Sequence, residues 1–272
     1  MAETITSAQN PKVRKLLALQ QKAAERRESG LFVLEGVREL QHCLSAGYKA
    51  DSLFVCPEIL GSRPDAEGLM SSVPSGRVFE VPKELYARIA YRGGTEGIIA
   101  EVYAKERGLE SLKLPENPLV LVTESVEKPG NLGAMFRSCD AAGADAMIIC
   151  GPDHTDLYNP NLIRASVGAV FTVPCAVCGS EEAIAFLRGL GVRILTAQLQ
   201  DSSLYYDCDM RRGTALVMGA EDTGLSDIWR RAADAHIRIP MLGRLDSLNV
   251  SVSAAVLLYE AVRQRGGTPA RG

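Results

Sequence analysis

The chain has 272 residues, of which 46% are hydrophobic and 23% are charged, and its formal net charge is −3. This composition is that of an ordinary globular protein, and the length suits two modest domains or one large one. The acidic balance excludes a global positive field, so a nucleic-acid partner would need a local basic patch.

The first residues lack the order of a signal peptide, and no apolar run approaches the roughly 20 residues that span a bilayer. We therefore expect a cytoplasmic protein that does not enter a membrane.

The first helix is predicted to begin at Asn10-Pro11, because asparagine favours the N-cap and proline the first helical turn, and to end at Gly30. Its polar face is rich in lysine and arginine. Most charged helix faces are simply solvated, but on an acidic chain this one is also the best candidate for phosphate contacts. Both interpretations stay open, and the candidate residues are Lys12, Lys15, Arg26 and Arg27.

Strands then alternate with helices up to residue 103. Strands are predicted at residues 31–34, 52–55, 77–81 and 98–102, with helices beginning at Val37 and Lys83. This alternation predicts a small α/β domain over residues 1–103. The charged segment 104–116, with a proline near its end, is typical of a linker.

Residues 117–272 continue the alternation with more apolar strands. They are predicted at residues 119–122, 146–149, 171–173, 192–195, 215–218 and 237–239. Continuous apolar runs are typical of strands covered on both faces, as in a parallel sheet. Ligands of open α/β sheets bind beyond the carboxyl ends of the strands, so site residues are expected in the segments that follow.

Three of these segments carry polar side chains. The segment after the strand at 119–122 contains Asn131, at a predicted helix start, and Arg137, six residues later and expected on a similar side of the helix. The loop 219–226 and the segment 239–255 follow two later strands. The candidate polar residues are Asn131, Arg137, Glu221 and Asn249.

Several signatures of other enzyme classes are absent from the sequence. No G-x-G-x-x-G follows a strand, and there is no Walker A loop, G-x-S-x-G elbow or H-E-x-x-H. Their absence argues against nicotinamide enzymes, P-loop nucleotidases, serine hydrolases and zincins. The lone Cys175-x-x-Cys178 has no second pair to complete a zinc site, so no metal is expected.

Together the three segments resemble the three motifs of the SpoU/TrmH family of RNA ribose 2′-O-methyltransferases. The motifs appear as Pro129-Gly130-Asn131-Leu132-Gly133 through Arg137, as Leu216–Ser226, and as Ile239-Pro240-Met241 with Asp246–Ser253. Asn159–Phe171 is similar to the stretch between the first two motifs. Phe32–Gly36 is similar to the marker of the family's N-terminal RNA-binding domain.

The resemblance implies a SPOUT-type α/β trefoil knot with a parallel sheet over residues 117–272, in which the C-terminal segment threads through a loop. A small N-terminal α/β RNA-binding domain precedes it. The resemblance also implies S-adenosylmethionine as cofactor, RNA as partner and a homodimer with its active site near the subunit interface.

The two-domain layout favours large-subunit ribosomal RNA as the substrate. A tRNA 2′-O-methyltransferase and a non-catalytic RNA-binding protein of the same fold stay as alternatives. A Rossmann-type methyltransferase is disfavoured by the missing glycine-rich loop.

The resemblance also assigns roles to individual residues. Asn131 and Arg137 would face the ribose and its phosphate, and Glu221 and Asn249 would position them. The remaining assignments are a cofactor site of Thr196, Gly219, Ile239, Met241 and Leu248, and a further RNA contact at Ser166. Gly219 would let the cofactor approach the backbone, where a side chain would obstruct it.

Overall fold

The structure, a computed structural model, describes residues 2–91, 96–151 and 156–267, without the side chain of Glu67. Contacts divide the chain into two compact units. The first consists of Met1–Glu106 and Asp156–Thr172, and the second of Arg107–Thr155 and Val173–Gly272. The first boundary between the units along the chain, between Glu106 and Arg107, falls within the predicted linker. The inclusion of Asp156–Thr172 in the first unit was not foreseen, since these residues belong to the predicted C-terminal domain.

The strands and helices follow one another along the chain as expected for an α/β protein. The strands are β1 (Glu3–Thr4), β2 (Leu31–Glu35), β3 (Ala50–Val55), β4 (Val78–Glu80), β5 (Ile98–Tyr103), β6 (Leu119–Glu124), β7 (Ala146–Cys150), β8 (Cys175–Cys178), β9 (Arg193–Ala197), β10 (Ser203–Leu204), β11 (Thr214–Met218) and β12 (Ala235–Arg238). The helices are α1 (Pro11–Gln21), α2 (Ala23–Ser29), α3 (Val37–Ser45), α4 (Pro57–Leu60), α5 (Pro64–Met70), α6 (Lys83–Ile89), α7 (Pro129–Ala142), α8 (Pro160–Ser166), α9 (Ala169–Thr172), α10 (Ser180–Gly189), α11 (Asp227–Ala232) and α12 (Val250–Gln264).

The first unit is built on a mixed five-stranded sheet with the order β1-β4-β3-β5-β2. β1, β4 and β3 run parallel to one another, whereas β5 is antiparallel to both β3 and β2. The helix α1 buries Val13, Leu16 and Leu19 in the core of this unit. The four strands predicted before residue 103 are confirmed as β2 to β5.

The single helix predicted from Asn10 to Gly30 is wrong, because the chain is extended at Lys22 and forms two helices. Arg26 binds carbonyl groups that the break leaves without a helical partner. Its guanidinium donates to the carbonyl oxygens of Leu19 and Gln20, at the end of α1, and binds Asp156 with 3.1 Å between Nε and Oδ2. Arg26 is 5% exposed, so it joins α1, α2 and the segment after Asp156 as a buried charge.

The second unit is built on a seven-stranded sheet with the order β10-β12-β9-β11-β6-β7-β8. Every neighbouring pair is parallel, which confirms the sheet type predicted from the apolar strands. One side of the sheet packs Val120, Val122 and Val217 against Trp229 of α11. The helix α12 packs against α7 and against β6 and β11.

The strand predicted at residues 171–173 is wrong. Residues up to Thr172 form α9 in the first unit, and the strand begins after Pro174 as β8. Phe171 packs its ring 5.8 Å from that of Phe32 and 5.3 Å from that of Tyr48. A short apolar run cannot distinguish a strand from a buried helix, and these aromatic contacts decide the outcome.

None of the helices in the described ranges combines the length and apolar character that crossing a membrane requires.

The threading of the C-terminal segment through a loop, implied by the family resemblance, stays a prediction.

Arg26→Ala is expected to lower the free energy of unfolding by about 3 kcal/mol, because it leaves Asp156 and two carbonyl groups without their donor. Urea denaturation followed by circular dichroism measures the change. The matched control is Arg27→Ala, since Arg27 is exposed on the same helix. Equal stability of the two variants would contradict the structural role of Arg26.

Candidate active site

Three predicted site residues, Asn131, Glu221 and Asn249, come together from separate segments. Asn131 Nδ2 donates a hydrogen bond to Glu221 Oε1, and Asn249 Nδ2 donates to Asn131 Oδ1 at 3.2 Å. Glu221 also forms an ion pair with Lys128, with 3.1 Å between Oε2 and Nζ. The amide of Asn131 is therefore oriented at both of its polar atoms.

Asn249 is fixed by the helix that it caps. Its Oδ1 accepts hydrogen bonds from the backbone N–H of Ser251 at 3.0 Å and from the Ser251 hydroxyl at 2.6 Å, and α12 begins at Val250. An N-cap side chain of this kind satisfies a helix N–H that would otherwise lack a partner. Because Oδ1 faces the helix, Nδ2 is directed to Asn131.

The loop that carries Glu221 is anchored by Glu124, at the end of β6. Glu124 Oε2 accepts from the backbone N–H of Ser226 at 2.7 Å, and Oε1 accepts from the Ser226 hydroxyl at 2.6 Å and the Ser180 hydroxyl at 3.0 Å. The sequence analysis missed Glu124. The sequence signal that could have identified it is a carboxylate directly at the end of an apolar strand. The residue is 8% exposed, and a buried carboxylate needs hydrogen-bond donors nearby.

Gly219 is required by the loop's own backbone. A Cβ atom there would lie 2.4 Å from the carbonyl carbon of Gly224 and 2.6 Å from the nitrogen of Leu225. The loop folds back on itself at this point, with a bridge between Ala220 and Gly224. The close approach within the loop is thus a reason for Gly219 that was not predicted, and access of a ligand to its backbone stays a prediction.

A cavity of about 200 Å³ lies beside this loop, at the carboxyl ends of β9, β11 and β12. It includes four of the five predicted cofactor residues, namely Gly219, Ile239, Met241 and Leu248, together with Glu221. The apolar walls Leu199, Met218, Ile237 and Leu257 were not predicted from the sequence. Met218, Ile237 and Leu257 lie on strands or a helix, where apolar residues are typical of the core, and Leu199 lies in the loop after β9, so no sequence signal marked them as cavity walls.

Thr196 does not line this cavity, in contrast to the expectation of a cofactor wall. It is fully buried in β9, and its hydroxyl lies 2.6 Å from His236 Nδ1 on the neighbouring strand. The following residues, Ala197 to Leu199, form the wall instead. Gln198 in that wall has a buried Oε1 with no hydrogen-bond partner in the described part of the chain.

Arg137 stands apart from the other polar site residues. It is exposed on α7 and forms no hydrogen bond or ion pair with any residue in the described ranges. Six residues of a helix turn by about 240°, which leaves Arg137 about 120° from the side of Asn131. The expectation that the two lie on similar sides is wrong.

The proposed RNA contacts in the first unit differ in availability. Arg26 is buried, and Ser166 is 1% exposed with its hydroxyl bound to the Ile163 carbonyl at 2.7 Å, so neither can present its side chain to RNA as folded. Lys15 binds Glu101 at 2.7 Å, and Lys12 pairs with Glu3. Arg27 is exposed and forms no ion pair with the described residues.

The two cysteines of the C-x-x-C pattern lie on β8, and burial raises the pKa of the Cys175 thiol. Within the described ranges, no group of His, Cys, Asp and Glu could hold a metal ion. His154 lies outside those ranges.

Comparison with known proteins agrees with the motifs. Residues 118–259 match the model of the SpoU rRNA Methylase family, and residues 10–100 match an MRM3-like substrate binding domain. The 23S rRNA (guanosine-2'-O-)-methyltransferase RlmB of Bordetella pertussis is 38% identical over 70% of this chain and 80% of its own length. The 23S rRNA (uridine(2479)-2'-O)-methyltransferase of Streptomyces viridochromogenes is 30% identical over 97% of this chain and 93% of its own length.

Solved structures share the same fold. An AdoMet-bound rRNA methyltransferase from Sinorhizobium meliloti superimposes with a TM-score of 0.87 and 30% identity, covering 96% of this chain and 98% of the other. The similarity therefore extends through both units of the chain.

Gly219→Ala is expected to lower the free energy of unfolding by about 1–3 kcal/mol, because the added methyl group would collide with the backbone of Gly224. Thermal and urea denaturation measure the change. Gly243→Ala is the matched control, since a Cβ at Gly243 meets nothing within 4 Å. Wild-type stability of Gly219→Ala would contradict the close approach.

Proposed function

The chain belongs to the SpoU rRNA methylase family, and on that basis we propose that it methylates a ribose 2′-hydroxyl of large-subunit ribosomal RNA, with S-adenosylmethionine as methyl donor. The observation that carries the proposal is the hydrogen-bonded set Asn131, Glu221 and Asn249 beside a ligand-sized cavity. The two relatives described above are named as 23S rRNA methyltransferases, which favours ribosomal RNA over tRNA.

The residues of the cavity fit S-adenosylmethionine. Ile239, Met241 and Leu248 offer apolar walls for an adenosine body, and Gln198 Oε1 is a buried acceptor that an amino group such as that of adenine would satisfy. Glu221 and Asp246 supply negative charge for a cationic sulfonium. When bound, this cofactor supplies a methyl group on a good leaving group, so the protein mainly has to align the reacting atoms.

Asn131, Glu221 and Asn249 are assigned to orientation. Glu221 accepts from Asn131 and from Lys128, and Asn249 is held by the helix cap, so these side chains are oriented by hydrogen bonds before substrate arrives. Preorganised polar groups of this kind lower the cost of aligning a substrate in the transition state. The ribose would be held by the remaining donor and acceptor positions of these amides.

Arg137 is assigned to the phosphate next to the reacting ribose. Arginine stays protonated in proteins, so it is a poor choice for the general base. Its planar guanidinium can instead bind phosphate through two hydrogen bonds and stabilise negative charge that develops on the ribose oxygen. The exposed position of Arg137, free of other partners in the described ranges, leaves it available for this contact.

We also propose that the protein works as a homodimer in the cytoplasm, where ribosomal RNA is found. Val252 and Tyr259 are 47% and 50% exposed, and their spacing of two helical turns places them on one side of α12. Contiguous apolar surface marks interaction sites, and this side of α12 is where we place the contact with the second copy. Light scattering measures the oligomeric state, and a monomer at working concentrations would contradict this part of the proposal.

Ribosomal RNA from cells that lack the gene is expected to lose one 2′-O-methyl group, which mapping of ribose methylation detects. Calorimetry on the purified protein is expected to show binding of S-adenosylmethionine. Loss of the methyl group from tRNA alone would support the tRNA alternative. Absence of both cofactor binding and methylation would support a non-catalytic RNA-binding protein.

Arg137→Lys is expected to lower kcat/KM for methyl transfer by about tenfold or more, because lysine keeps the charge but loses the two-bond geometry. The assay measures incorporation of a labelled methyl group into RNA, with cofactor affinity measured separately. Arg231→Lys, at an exposed arginine of α11, is the control for a general effect of losing a guanidinium group. Near-normal turnover of Arg137→Lys would contradict the bidentate role.

A further inference from the structure

A second cavity, of about 300 Å³, lies wholly within the first unit. It is bordered by the end of β2, the beginning of α3 and the helix α8. Its lining combines the carboxylates Glu35, Glu39 and Glu96 with the guanidinium groups of Arg38 and Arg164. Nothing in the candidate active site involves these residues, and a cavity of this size can enclose a purine nucleoside.

Glu35 is the central polar group of the cavity. Its Oε1 accepts a hydrogen bond from the backbone N–H of Tyr91 and lies 3.4 Å from Gln20 Nε2, which is itself bound to the Ile89 carbonyl at 2.8 Å. Its Oε2 has no hydrogen bond to any residue in the described ranges. Among the described residues, the carboxyl group is thus oriented at Oε1 and has no hydrogen-bond partner at Oε2.

Burial raises the pKa of Glu35 to about 6, against the opposing effects of the Tyr91 N–H and the positive charge of Arg164. At neutral pH the group is therefore mainly an ionised carboxylate that has lost part of its hydration. An ionised carboxylate only accepts hydrogen bonds, so a ligand that suits this position must supply donors.

Other charged groups of the lining differ in whether they already bind a protein partner. Glu96 accepts from the backbone N–H of Val37 at 2.6 Å and pairs with Arg63 at 3.1 Å, which makes it a structural residue. Arg38 and Arg164 are exposed, and neither forms an ion pair within the described part of the chain. The cavity thus offers an acceptor inside and, at its exposed side, two guanidinium groups that form no ion pair with the described residues.

We propose that this cavity binds a guanine base of the RNA substrate. Glu35 accepts hydrogen bonds from the N1–H and N2–H groups of the base, and Arg38 and Arg164 bind the adjoining phosphate. Guanine is the standard base whose pairing edge carries two neighbouring donors, which match the two oxygens of a carboxylate. Proteins that read RNA sequence do so largely on splayed-out bases through these edges.

The proposal rests on the proposed function for its RNA, but it concerns a separate site in the first unit. In this proposal, Glu35 provides the preference for guanine, and the two arginines provide affinity for the phosphate backbone of the RNA. Base contacts and phosphate contacts usually divide in this way.

The first experiment titrates the full chain with guanosine monophosphate and inosine monophosphate, observed by NMR or calorimetry. Inosine lacks the N2 amino group, so it is expected to bind about tenfold more weakly, as for loss of half of a bidentate pair. Glu35→Gln is expected to remove this difference, and Arg164→Glu to weaken both nucleotides. Glu80→Gln, at an exposed carboxylate of β4, is the matched control and is expected to retain the difference in affinity between the two nucleotides.

Equal binding of the two nucleotides, or no binding of either, would overturn the proposal, and neither result depends on folding of a variant. A ribosomal RNA fragment with single guanosine-to-inosine replacements then identifies the source of the guanine. One replacement is expected to weaken binding about tenfold for the wild type but not for Glu35→Gln. If guanosine monophosphate binds but no replacement matters, the site takes a free nucleotide and the RNA assignment is wrong.

Calorimetry with S-adenosylmethionine on the same preparation keeps the two proposals apart. Cofactor binding without guanine discrimination refutes this inference alone. Guanine discrimination without cofactor binding refutes the methyltransferase proposal and leaves the guanine site in place.

Discussion

The parallel pairing of β11 with β6 on one side and β9 on the other is the constraint on which the candidate active site depends. Its register places Thr214 opposite both Leu119 and Arg193, so the three strands end at the same edge of the sheet. The loops that follow β6 and β11 therefore begin side by side, although about 90 residues separate Asn131 from Glu221. This register brings the two loops close together, and their side chains share a hydrogen bond.

Side chains with a structural task then fix each of these loops. Glu124 binds the end of the loop that begins at Gly219, and Asn249 caps α12 while it reaches Asn131. A carboxylate or amide that is held in one orientation needs little reorganisation when a substrate arrives. Local stability and site geometry are thus provided by the same hydrogen bonds.

Much of the second unit could be predicted because its signals are local. Apolar strands and glycine loops each follow from a few neighbouring residues, and the order of the motifs indicated the family. The burial of Arg26 could not be predicted, since its partner Asp156 is 130 residues away and a basic helix face looks the same whether it is solvated or paired. Glu124 and the cavity walls were missed for the same reason, because their roles depend on contacts distant in sequence.

The return of Asp156–Thr172 to the first unit bears on the order in which the chain can fold during synthesis. Arg26 obtains its carboxylate, and Phe32 and Tyr48 obtain the ring of Phe171, only from this later segment. The first unit is therefore incomplete when its N-terminal 106 residues have left the ribosome, and it closes only after β6 and β7 have been made. The two units therefore cannot be completed strictly one after the other as the chain is made, because part of the second precedes the last segment of the first.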